Sequence, residues 1–398
     1  MKPLDFKVNG FLFSGISAGI KKDGKRDLGL IYSEVPARVA GLFTTNAVKA
    51  APVRIDMERI KGGFCRALIV NSGNANACTG RQGLRDAQRM SYHVAKGLGI
   101  DEKRVLVSST GVIGTPMPME KVEEGIPNLI ERLSRDGWME TVEAIMTTDT
   151  FPKVEVSTCR IKDKPVKLCG MVKGAGMMRP NMATMLSFLV TDAGIKTSLL
   201  QGMLKEAAET SFNRITIDGE TSTNDTVLIL ANGKAGHSLL DRMDRDGKIF
   251  QSMLSKVCEG LAKAVVKDGE GATKFIEIFV KGARDHEDAK KAAYAIAHSP
   301  LVKTAFFGQD ANWGRILCAL GHSGARINPD RIDLFFDKVP IVKRGMGTGP
   351  LLEERASQVI KKKAFKVIVD LHQGKSQFSV YTTDLSIDYV KINASYRT

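Results

Sequence analysis

Cysteine, histidine and aromatic residues are all scarce in this chain. Six cysteines are spread over 398 residues without a C-x-x-C pair, which argues against both a disulfide framework and a cysteine-based zinc site. The six histidines form no H-E-x-x-H unit, so no metal site is predicted. Aromatic residues make up 6% of the chain, too few to interleave with basic residues as a nucleic-acid platform. The cysteines are best interpreted as buried thiols.

Long apolar runs are also missing. The longest, such as Ala67–Val70 and Val227–Ala231, fall far short of the roughly 20 residues that cross a bilayer, so no membrane span is predicted. Near the amino terminus, Lys2 and Lys7 precede an apolar stretch at 11–20 that is faintly similar to a secretion signal. Serine and glycine interrupt that stretch, and no small-residue cleavage pattern follows it. We therefore expect a cytoplasmic protein.

Acidic residues are fewer than basic ones in this chain. The chain has 58 lysines and arginines against 44 aspartates and glutamates, a formal net charge of +14 that favours anionic partners. The basic residues occur in short clusters such as Lys361–Lys363, and no aromatic residues alternate with them. Acidic small-molecule substrates are therefore favoured, and a non-catalytic protein that binds nucleic acid is the distant alternative.

The length predicts more than one structural unit. A single core seldom grows beyond about 250–300 residues, so 398 residues predict two domains or two covalent halves. Apolar spacing predicts a mixture of helices and strands, with turn-rich loops between them. The predicted strands are 66–71, 104–109, 154–161, 166–172, 184–192, 226–231, 275–280, 365–371 and 378–381. The predicted helices are 84–98, 120–133, 197–210, 249–266, 285–297 and 351–362.

One segment enters a strand in an unusual way. Residues 173–186 read KGAGMMRPNMATML, so a glycine pair, a proline turn and a small residue precede Thr184. Taken alone, this pattern is typical of a loop that leads into a buried strand, where threonine is common. A phosphate loop is the weaker reading, because the segment lacks the third glycine of a dinucleotide turn and the Gly-Lys-Ser/Thr of a Walker loop.

Several segments together carry a more specific signal. Residues 173–186, the stretch FNRITIDGETSTNDT at 212–226 and the carboxyl-terminal residues 393–398 resemble the ornithine acetyltransferase family. The resemblance extends over nearly the whole chain and takes in TTDT at 147–150, STGVIG at 109–114 and DANWGR at 310–315. It implies an α+β fold, an αββα sandwich of the ornithine acetyltransferase and aminopeptidase type, with a smaller carboxyl-terminal α/β domain.

The resemblance also implies that the chain cuts itself between Ala183 and Thr184. The products would be an alpha chain, residues 1–183, and a beta chain, residues 184–398, with the smaller domain starting at about residue 283. A threonine hydroxyl is a poor nucleophile without an adjacent base. The cut supplies one, because an α-amine, whose pKa in model peptides is about 7.7–8.0, can accept the hydroxyl proton near neutral pH.

The remaining site residues are also implied by the resemblance. Thr110 and Gly111 would form the oxyanion hole through a hydroxyl and a backbone N–H, although that dipeptide alone is more typical of a turn or helix cap. The implied substrate-binding residues are Thr148, Lys173, Thr184, Glu270, Asn393 and Thr398. Lysine can bind a carbonyl or carboxylate oxygen, and glutamate can pair with an ammonium group. The polar stretch at 216–226 is expected to support this site.

The implied reaction is a ping-pong acetyl transfer. N2-acetyl-L-ornithine would acylate Thr184, ornithine would leave, and L-glutamate would take the acetyl group within arginine biosynthesis. No bound cofactor is expected, and acetyl-CoA stays open as a second acetyl donor. Family members imply further assembly, with two alpha and two beta chains. An amidase or aminopeptidase on the same fold, with water as acceptor, is the alternative enzyme.

Overall fold

The computed structural model describes residues 6–178 and 185–395 of the chain, which divide into two compact units. The first unit contains the described residues up to 213 together with 220–265. The second contains 214–219 and the described residues from 266 onward. Residues 214–219 therefore belong to a different unit from the residues before and after them in the chain.

The first unit contains eight strands and six helices among its described residues. The strands are β1 (Phe11–Ile16), β2 (Leu28–Phe43), β3 (Phe64–Asn71), β4 (Val105–Ser109), β5 (Lys153–Ile161), β6 (Lys164–Lys173), β7 (Leu186–Thr191) and β8 (Thr226–Ala231). The helices are α1 (Ala51–Arg59), α2 (Gly80–Leu98), α3 (Met119–Glu131), α4 (Trp138–Ile145), α5 (Thr197–Glu209) and α6 (Arg245–Lys267), the last of which runs on into the second unit.

Strand β2 joins two halves of one sheet, whose order is β4-β3-β2-β8-β7-β6-β5. The first half of β2 pairs with β1 on one side and with β3 on the other. Its second half pairs with β8, and the register against β3 shifts between Tyr32 and Ala37. Such an irregularity bends a strand, so one long strand serves two layers.

Alternating side chains define the layers. Leu68 and Val70 of β3 lie in a buried cluster that also holds Phe188 of β7 and Leu228 of β8, so the two half-sheets pack face to face. The intervening residue Ile69 points the other way, into a cluster with apolar side chains of α2 and α3. These contacts form the inner β layers and one outer helical layer.

The second helical layer covers the other half-sheet. Gln201 of α5 hydrogen-bonds the backbone N–H of Gly41 at 3.1 Å. A side chain at Gly170 of β6 would meet Leu261 of α6 at 2.8 Å, so α6 packs tightly on this strand. The order of layers is helix, sheet, sheet, helix, and the αββα sandwich predicted from the sequence is confirmed.

The second unit has one six-stranded sheet of order β12-β11-β10-β13-β9-β14. Its strands are β9 (Phe275–Ala283), β10 (Asp333–Phe336), β11 (Val339–Lys343), β12 (Met346–Gly347), β13 (Ala364–Asp370) and β14 (Ser376–Thr383). Its other helices are α7 (His286–His298), α8 (Pro300–Phe307), α9 (Trp313–Gly321), α10 (Pro350–Ile360) and α11 (Ile387–Ser395).

The boundary of this unit differs from the predicted one. The smaller domain was expected from about residue 283, whereas the second unit starts at Val266 and also takes in 214–219. The physical reason is strand β9, which pairs in parallel with β13 and antiparallel with β14 and is therefore an interior strand of this sheet. A boundary at residue 283 would remove that strand from its own sheet.

No helix within 6–178 or 185–395 combines the length and apolar character needed to cross a membrane. No cluster of three or more histidine, cysteine, aspartate or glutamate side chains in the same ranges is arranged to hold a metal ion.

Candidate active site

Two adjacent strands of the first unit end at the same edge of the sheet. Strands β3 and β4 are parallel, and their last residues, Asn71 and Ser109, lie opposite each other. The Ser109 hydroxyl donates to the Asn71 side-chain oxygen at 2.6 Å, and the Thr110 N–H donates to the Asn71 carbonyl at 3.0 Å. Loops at the carboxyl ends of parallel strands are a common location for sites. Thr110 is therefore held at this edge by β3.

Gly111 makes a backbone crossing that no other residue would allow. Its φ is +132°, and a Cβ there would lie 2.4 Å from the carbonyl carbon of Gly73 and 2.5 Å from the nitrogen of Asn74. Beyond the crossing, the Ala75 N–H donates to the Val112 carbonyl at 3.0 Å. Both obstacles are backbone atoms, which cannot move aside as a side chain could. The orientation of the Gly111 peptide is thus set by close contact between two loops.

Asn224 fastens the same two loops from a third segment. It precedes β8, it is buried, and its amide nitrogen donates to the Ala75 carbonyl at 2.6 Å and to the Ser109 carbonyl at 2.8 Å. Its side-chain oxygen accepts from the Thr223 hydroxyl at 2.6 Å. A fully bonded buried amide of this kind rigidifies its surroundings. The polar stretch at 216–226 therefore supplies a side chain that joins the backbone just before Thr110 to the facing loop at Ala75.

Lys173 brings a positive charge to this edge. It is the last residue of β6, only 5% of it is exposed, and its Nζ donates to the Thr110 hydroxyl oxygen at 3.1 Å. An ammonium group has no acceptor, so Thr110 must be the acceptor in this hydrogen bond and its own O–H remains to be donated. The geometry suits a hydroxyl that donates to a developing negative charge next to a lysine.

Asp149 ties the 147–150 loop to the end of β6. Its side chain is buried and accepts from Lys153 Nζ at 2.5 Å and from the Gly174 N–H at 2.7 Å. Its other oxygen accepts from the Thr147 N–H at 2.9 Å. Burial opposes ionisation, but the charges of Lys153 and Lys173 and these hydrogen bonds outweigh it and lower the pKa of Asp149. The loop is therefore anchored by a buried carboxylate.

The predicted substrate residue Thr148 lies on this anchored loop. It is half-buried between Thr147 and Asp149, and both of those residues line a cavity of about 620 Å³ in the first unit. The cavity wall is rich in basic side chains: Lys21, Lys25, Arg26 and Arg132. The polar loop and the basic wall suit an anionic small molecule.

The second unit brings Glu270 and Asn393 together. The Asn393 amide nitrogen donates to the Glu270 carboxylate at 2.9 Å and to the Tyr389 carbonyl at 3.0 Å. Gly271 allows this approach, because a Cβ there would lie 2.4 Å from the Tyr389 nitrogen. Glu270 is half-buried and Asn393 is exposed, so the pair is accessible.

The predicted site residues divide into three sets. In the first unit the structure joins Thr110 to Lys173, with Gly111 next in the chain. In the second unit it joins Glu270 to Asn393. The predicted cut between Ala183 and Thr184, the nucleophile Thr184 itself and the substrate residue Thr398 lie outside the described residues.

Two buried residues of the site were not predicted from the sequence. Asp149 and Lys153 are four residues apart and form the ion pair that anchors the 147–150 loop. The available signal was a lysine at the first position of a strand, next to a motif with one acidic residue. Lysine at such a position is normally solvated, so the pattern alone does not distinguish this pair from a surface ion pair.

The chain is similar to known proteins over nearly its whole length. A model of the ArgJ family matches residues 12–398. The arginine biosynthesis bifunctional protein ArgJ of Geobacter sulfurreducens is 55% identical over 391 residues, which cover 98% of this chain and 100% of that protein. The protein of the same name from Thermotoga neapolitana is 47% identical over 400 residues, 99% of this chain and 100% of that protein. The crystal structure of arginine biosynthesis bifunctional protein argJ from Bacillus halodurans is 43% identical, with a TM-score of 0.49, and the match covers 52% of this chain and 96% of that one.

Proposed function

Because this chain belongs to the ArgJ family, we propose that it cuts itself between Ala183 and Thr184 and then carries an acetyl group on Thr184. It moves acetyl from N2-acetyl-L-ornithine to L-glutamate and serves arginine biosynthesis, the pathway for which its relatives are named. The observation that carries the proposal is the buried hydrogen bond between Lys173 and Thr110. Lys173 pairs with Leu186, the first residue of β7, and only Met185 separates Leu186 from Thr184 in the chain.

The proposed chemistry assigns one role to each group. The Thr184 hydroxyl attacks the acetyl carbonyl while its own α-amine, freed by the cut, takes the hydroxyl proton. The negative charge that develops on the carbonyl oxygen accepts hydrogen bonds from the Thr110 hydroxyl and the Gly111 N–H. Collapse of this intermediate releases ornithine and leaves an acetyl ester on Thr184. Glutamate then attacks the ester, which completes a ping-pong cycle.

Substrate recognition is proposed to use both kinds of charge. Glu270 pairs with the side-chain ammonium of ornithine, and Asn393, already bonded to Glu270, orients that carboxylate. Thr148 and Lys173 bind the amide and carboxylate oxygens of the bound amino acid, and Thr398 completes the set. The charge at Lys173 also favours the acidic acceptor, glutamate.

The proposal extends to a second donor and to assembly. The relatives are called bifunctional, which supports acetyl-CoA as a further acetyl donor for glutamate. No resident cofactor takes part, because the acetyl carrier is the protein's own threonine. The cleaved enzyme is proposed to be a cytoplasmic assembly of two alpha and two beta chains.

Denaturing gel analysis and amino-terminal sequencing test the cut. The purified enzyme should give two fragments, one of which begins Thr184-Met185-Leu186. Replacement of Thr184 by alanine should leave a single uncut and inactive chain. The matched control is Thr210→Ala, an exposed threonine at the end of α5, which should cut and react normally. A cut that persists in Thr184→Ala contradicts the proposed nucleophile.

Incubation with N2-acetyl-L-ornithine, with and without glutamate, tests the transfer. We expect N-acetylglutamate to form at the rate at which ornithine is released, and little acetate to form without glutamate. Acetate release that is independent of glutamate would instead indicate the amidase reading, in which water is the acceptor. Replacing acetylornithine by acetyl-CoA in the same assay measures the second donor.

A further inference from the structure

Self-cleavage needs a base other than the α-amine that the cleaved enzyme uses, because that amine does not exist before the cut. In the cleaved enzyme, the α-amine of Thr184 can accept the hydroxyl proton. In the uncut precursor that nitrogen is part of the amide bond to Ala183, and an amide nitrogen is not a base. Lys173 pairs with Leu186, two residues after Thr184, but its ammonium group donates to Thr110 and has no lone pair to accept a proton. Another group must therefore accept the proton of the Thr184 hydroxyl before the cut.

Asp225 is held next to the residue that follows Thr184. One of its carboxyl oxygens accepts the Met185 N–H at 3.0 Å, and the Met185 carbonyl accepts the Thr226 N–H at 3.0 Å. Met185 is thus fixed on both sides by the start of β8. The Thr184 hydroxyl is joined to the Met185 nitrogen through only its own Cβ, Cα and carbonyl carbon, which limits the two atoms to a separation of about 5 Å. Asp225 therefore binds the residue that is covalently next to Thr184.

The second oxygen of Asp225 makes no hydrogen bond to the described residues. The residue is completely buried, and its Oδ2 meets no hydrogen-bond partner there. A buried carboxyl oxygen without a partner is costly, because it has lost its water and gained nothing in return. Such atoms are rare in folded proteins, and a catalytic role is one of the explanations for them.

The surroundings of Asp225 also suit proton exchange. Burial raises the pKa of the Asp225 carboxyl well above its usual value, and it is opposed by the Met185 N–H, by the nearby Thr44 hydroxyl, by the charge of Lys173 and by the Ser222 backbone. A carboxylate with a raised pKa is a stronger base than one at the surface, since it holds a proton more firmly. The same group can then give the proton back to a leaving nitrogen.

We propose that Asp225 is the base of self-cleavage, which rests on the proposed cut at Thr184. The Asp225 carboxylate takes the proton from the Thr184 hydroxyl, and the hydroxyl oxygen attacks the Ala183 carbonyl carbon. The bond from that carbon to the Thr184 nitrogen then breaks, and the nitrogen receives the proton from Asp225. An ester now joins Ala183 to the Thr184 oxygen. Water hydrolyses this ester to give the Ala183 carboxylate, the free hydroxyl and the free amine.

Asp225→Asn in the full chain separates basicity from positioning. The asparagine keeps an oxygen that can accept the Met185 N–H, but its amide cannot take a proton at neutral pH. We expect self-cleavage to slow by roughly 10²-fold or more, the range that a positioned base contributes. The rate is measured as the fraction of cut chain against time on a denaturing gel. After prolonged incubation, the activity per cut chain should be near that of the wild type, because the α-amine then acts as the base.

Asp56→Asn is the matched control for a buried aspartate. Asp56 is also buried, accepts a strand N–H, from Val107 at 3.0 Å, and has a pKa raised by burial. It should cut at the wild-type rate, and thermal melting of both variants establishes that each is folded. If the Asp225 variant melts below the temperature of the assay, the rate is measured at a lower temperature against the wild type at that same temperature.

The outcomes separate this inference from the function on which it rests. Wild-type cleavage in Asp225→Asn, with Thr184→Ala still uncut, overturns the role of Asp225 and leaves the nucleophile intact. Cleavage in Thr184→Ala removes the proposed nucleophile itself. Hydroxylamine attacks an accumulated ester, so restoration of cutting of Asp225→Asn by hydroxylamine would show that ester formation does not need Asp225 and would also overturn the inference.

Discussion

The predicted site residues of the two units differ in burial and in the number of hydrogen bonds that hold them. In the first unit, Thr110 and Lys173 are buried and Asp149 anchors the neighbouring loop with three hydrogen bonds. In the second unit, Glu270 and Asn393 are accessible and share a single hydrogen bond. Groups that stabilise a transition state must be in place before the reaction, whereas groups that recognise amino acids can adjust. The proposed function therefore predicts that substitutions at Thr110 and Lys173 act mainly on the chemical step, and that a substitution at Glu270 acts mainly on substrate binding.

Lys173→Met should have the largest effect. It removes the charge next to the developing oxyanion and the hydrogen bond that orients Thr110, so we expect kcat/KM for acetyl transfer to fall roughly 10³-fold. Lys167→Met, on the same strand but only half-buried, is the control and should stay within about 3-fold of the wild type. Activity is normalised to the fraction of cut chain. A loss of less than 10-fold for Lys173→Met would show that the buried lysine of the first unit contributes no more to the reaction than the accessible Glu270 of the second.

Thr110→Val should have the next largest effect. The variant keeps the shape but loses the hydroxyl donor, so kcat should fall roughly 10²-fold with KM nearly unchanged, as for the removal of one oxyanion donor. Thr110→Ser retains a hydroxyl and should recover most of the activity. Thr115→Val, an exposed threonine of the same loop, is the control. A rise in KM alone would assign Thr110 to substrate binding instead.

Glu270→Gln should have a smaller effect of a different kind. An accessible ion pair contributes on the order of 1 kcal/mol, so KM for N2-acetyl-L-ornithine should rise about 5- to 10-fold while kcat changes little. Glu287→Gln, an exposed glutamate of the second unit, is the control. If kcat falls as far as in Thr110→Val, recognition and chemistry are not separated between the units.

Lys303 makes a further comparison of buried lysines in the two units possible, through the pH dependence of the free energy of unfolding. Among the described residues, this buried lysine of the second unit hydrogen-bonds only neutral oxygens of Thr382 and Thr383, whereas Lys153 has a carboxylate partner. Burial, partly offset by the charges of Asp384 and Asp218, lowers its pKa to about 7. Between about pH 7 and 10 the unfolded chain therefore binds more protons, so the free energy of unfolding should rise with pH.

The measurement for Lys303 is a difference between two chains. Denaturant unfolding of the wild type and of Lys303→Met is compared from pH 7 to pH 10, so that other titrating groups cancel. The wild type should gain up to about 1 kcal/mol per pH unit relative to the variant. A constant difference across that range would show that Lys303 keeps its ordinary pKa in the folded protein.

Local patterns predicted the elements with a strong apolar period, whereas α1, α4 and β10, for example, have no counterpart among the predictions. Strand β8 has the bounds expected from its apolar run, 226–231, and α5 ends one residue before the predicted position of 210. Strand β2 was not predicted. Its sixteen residues include Glu34 and Pro36, and its stability comes from partners far away in the chain, including β8. Long-range pairing of this kind leaves no periodic signal in the strand itself.

The candidate site was predictable only as a set of residue types. The resemblance selected Thr110, Gly111 and Lys173, and the structure brings Thr110 and Lys173 into contact. Neither the ion pair of Asp149 with Lys153 nor the buried Asp225 could be inferred, because an acidic residue in a sequence is normally solvated. Burial depends on which other segments cover a residue, and composition does not contain that information.

The sequence by itself determined the class of fold, the likeness to a self-cleaving acetyltransferase and the glycine that the loop crossing requires. Only the tertiary structure decided what that glycine is for. At Gly111 the obstacle is the backbone of Gly73 and Asn74, and the loops are fastened by Asn224 from a distant segment. Hydrogen bonds and close contacts act through space, whereas local propensities act along the chain. The buried charges of the first unit are therefore a property of the folded molecule.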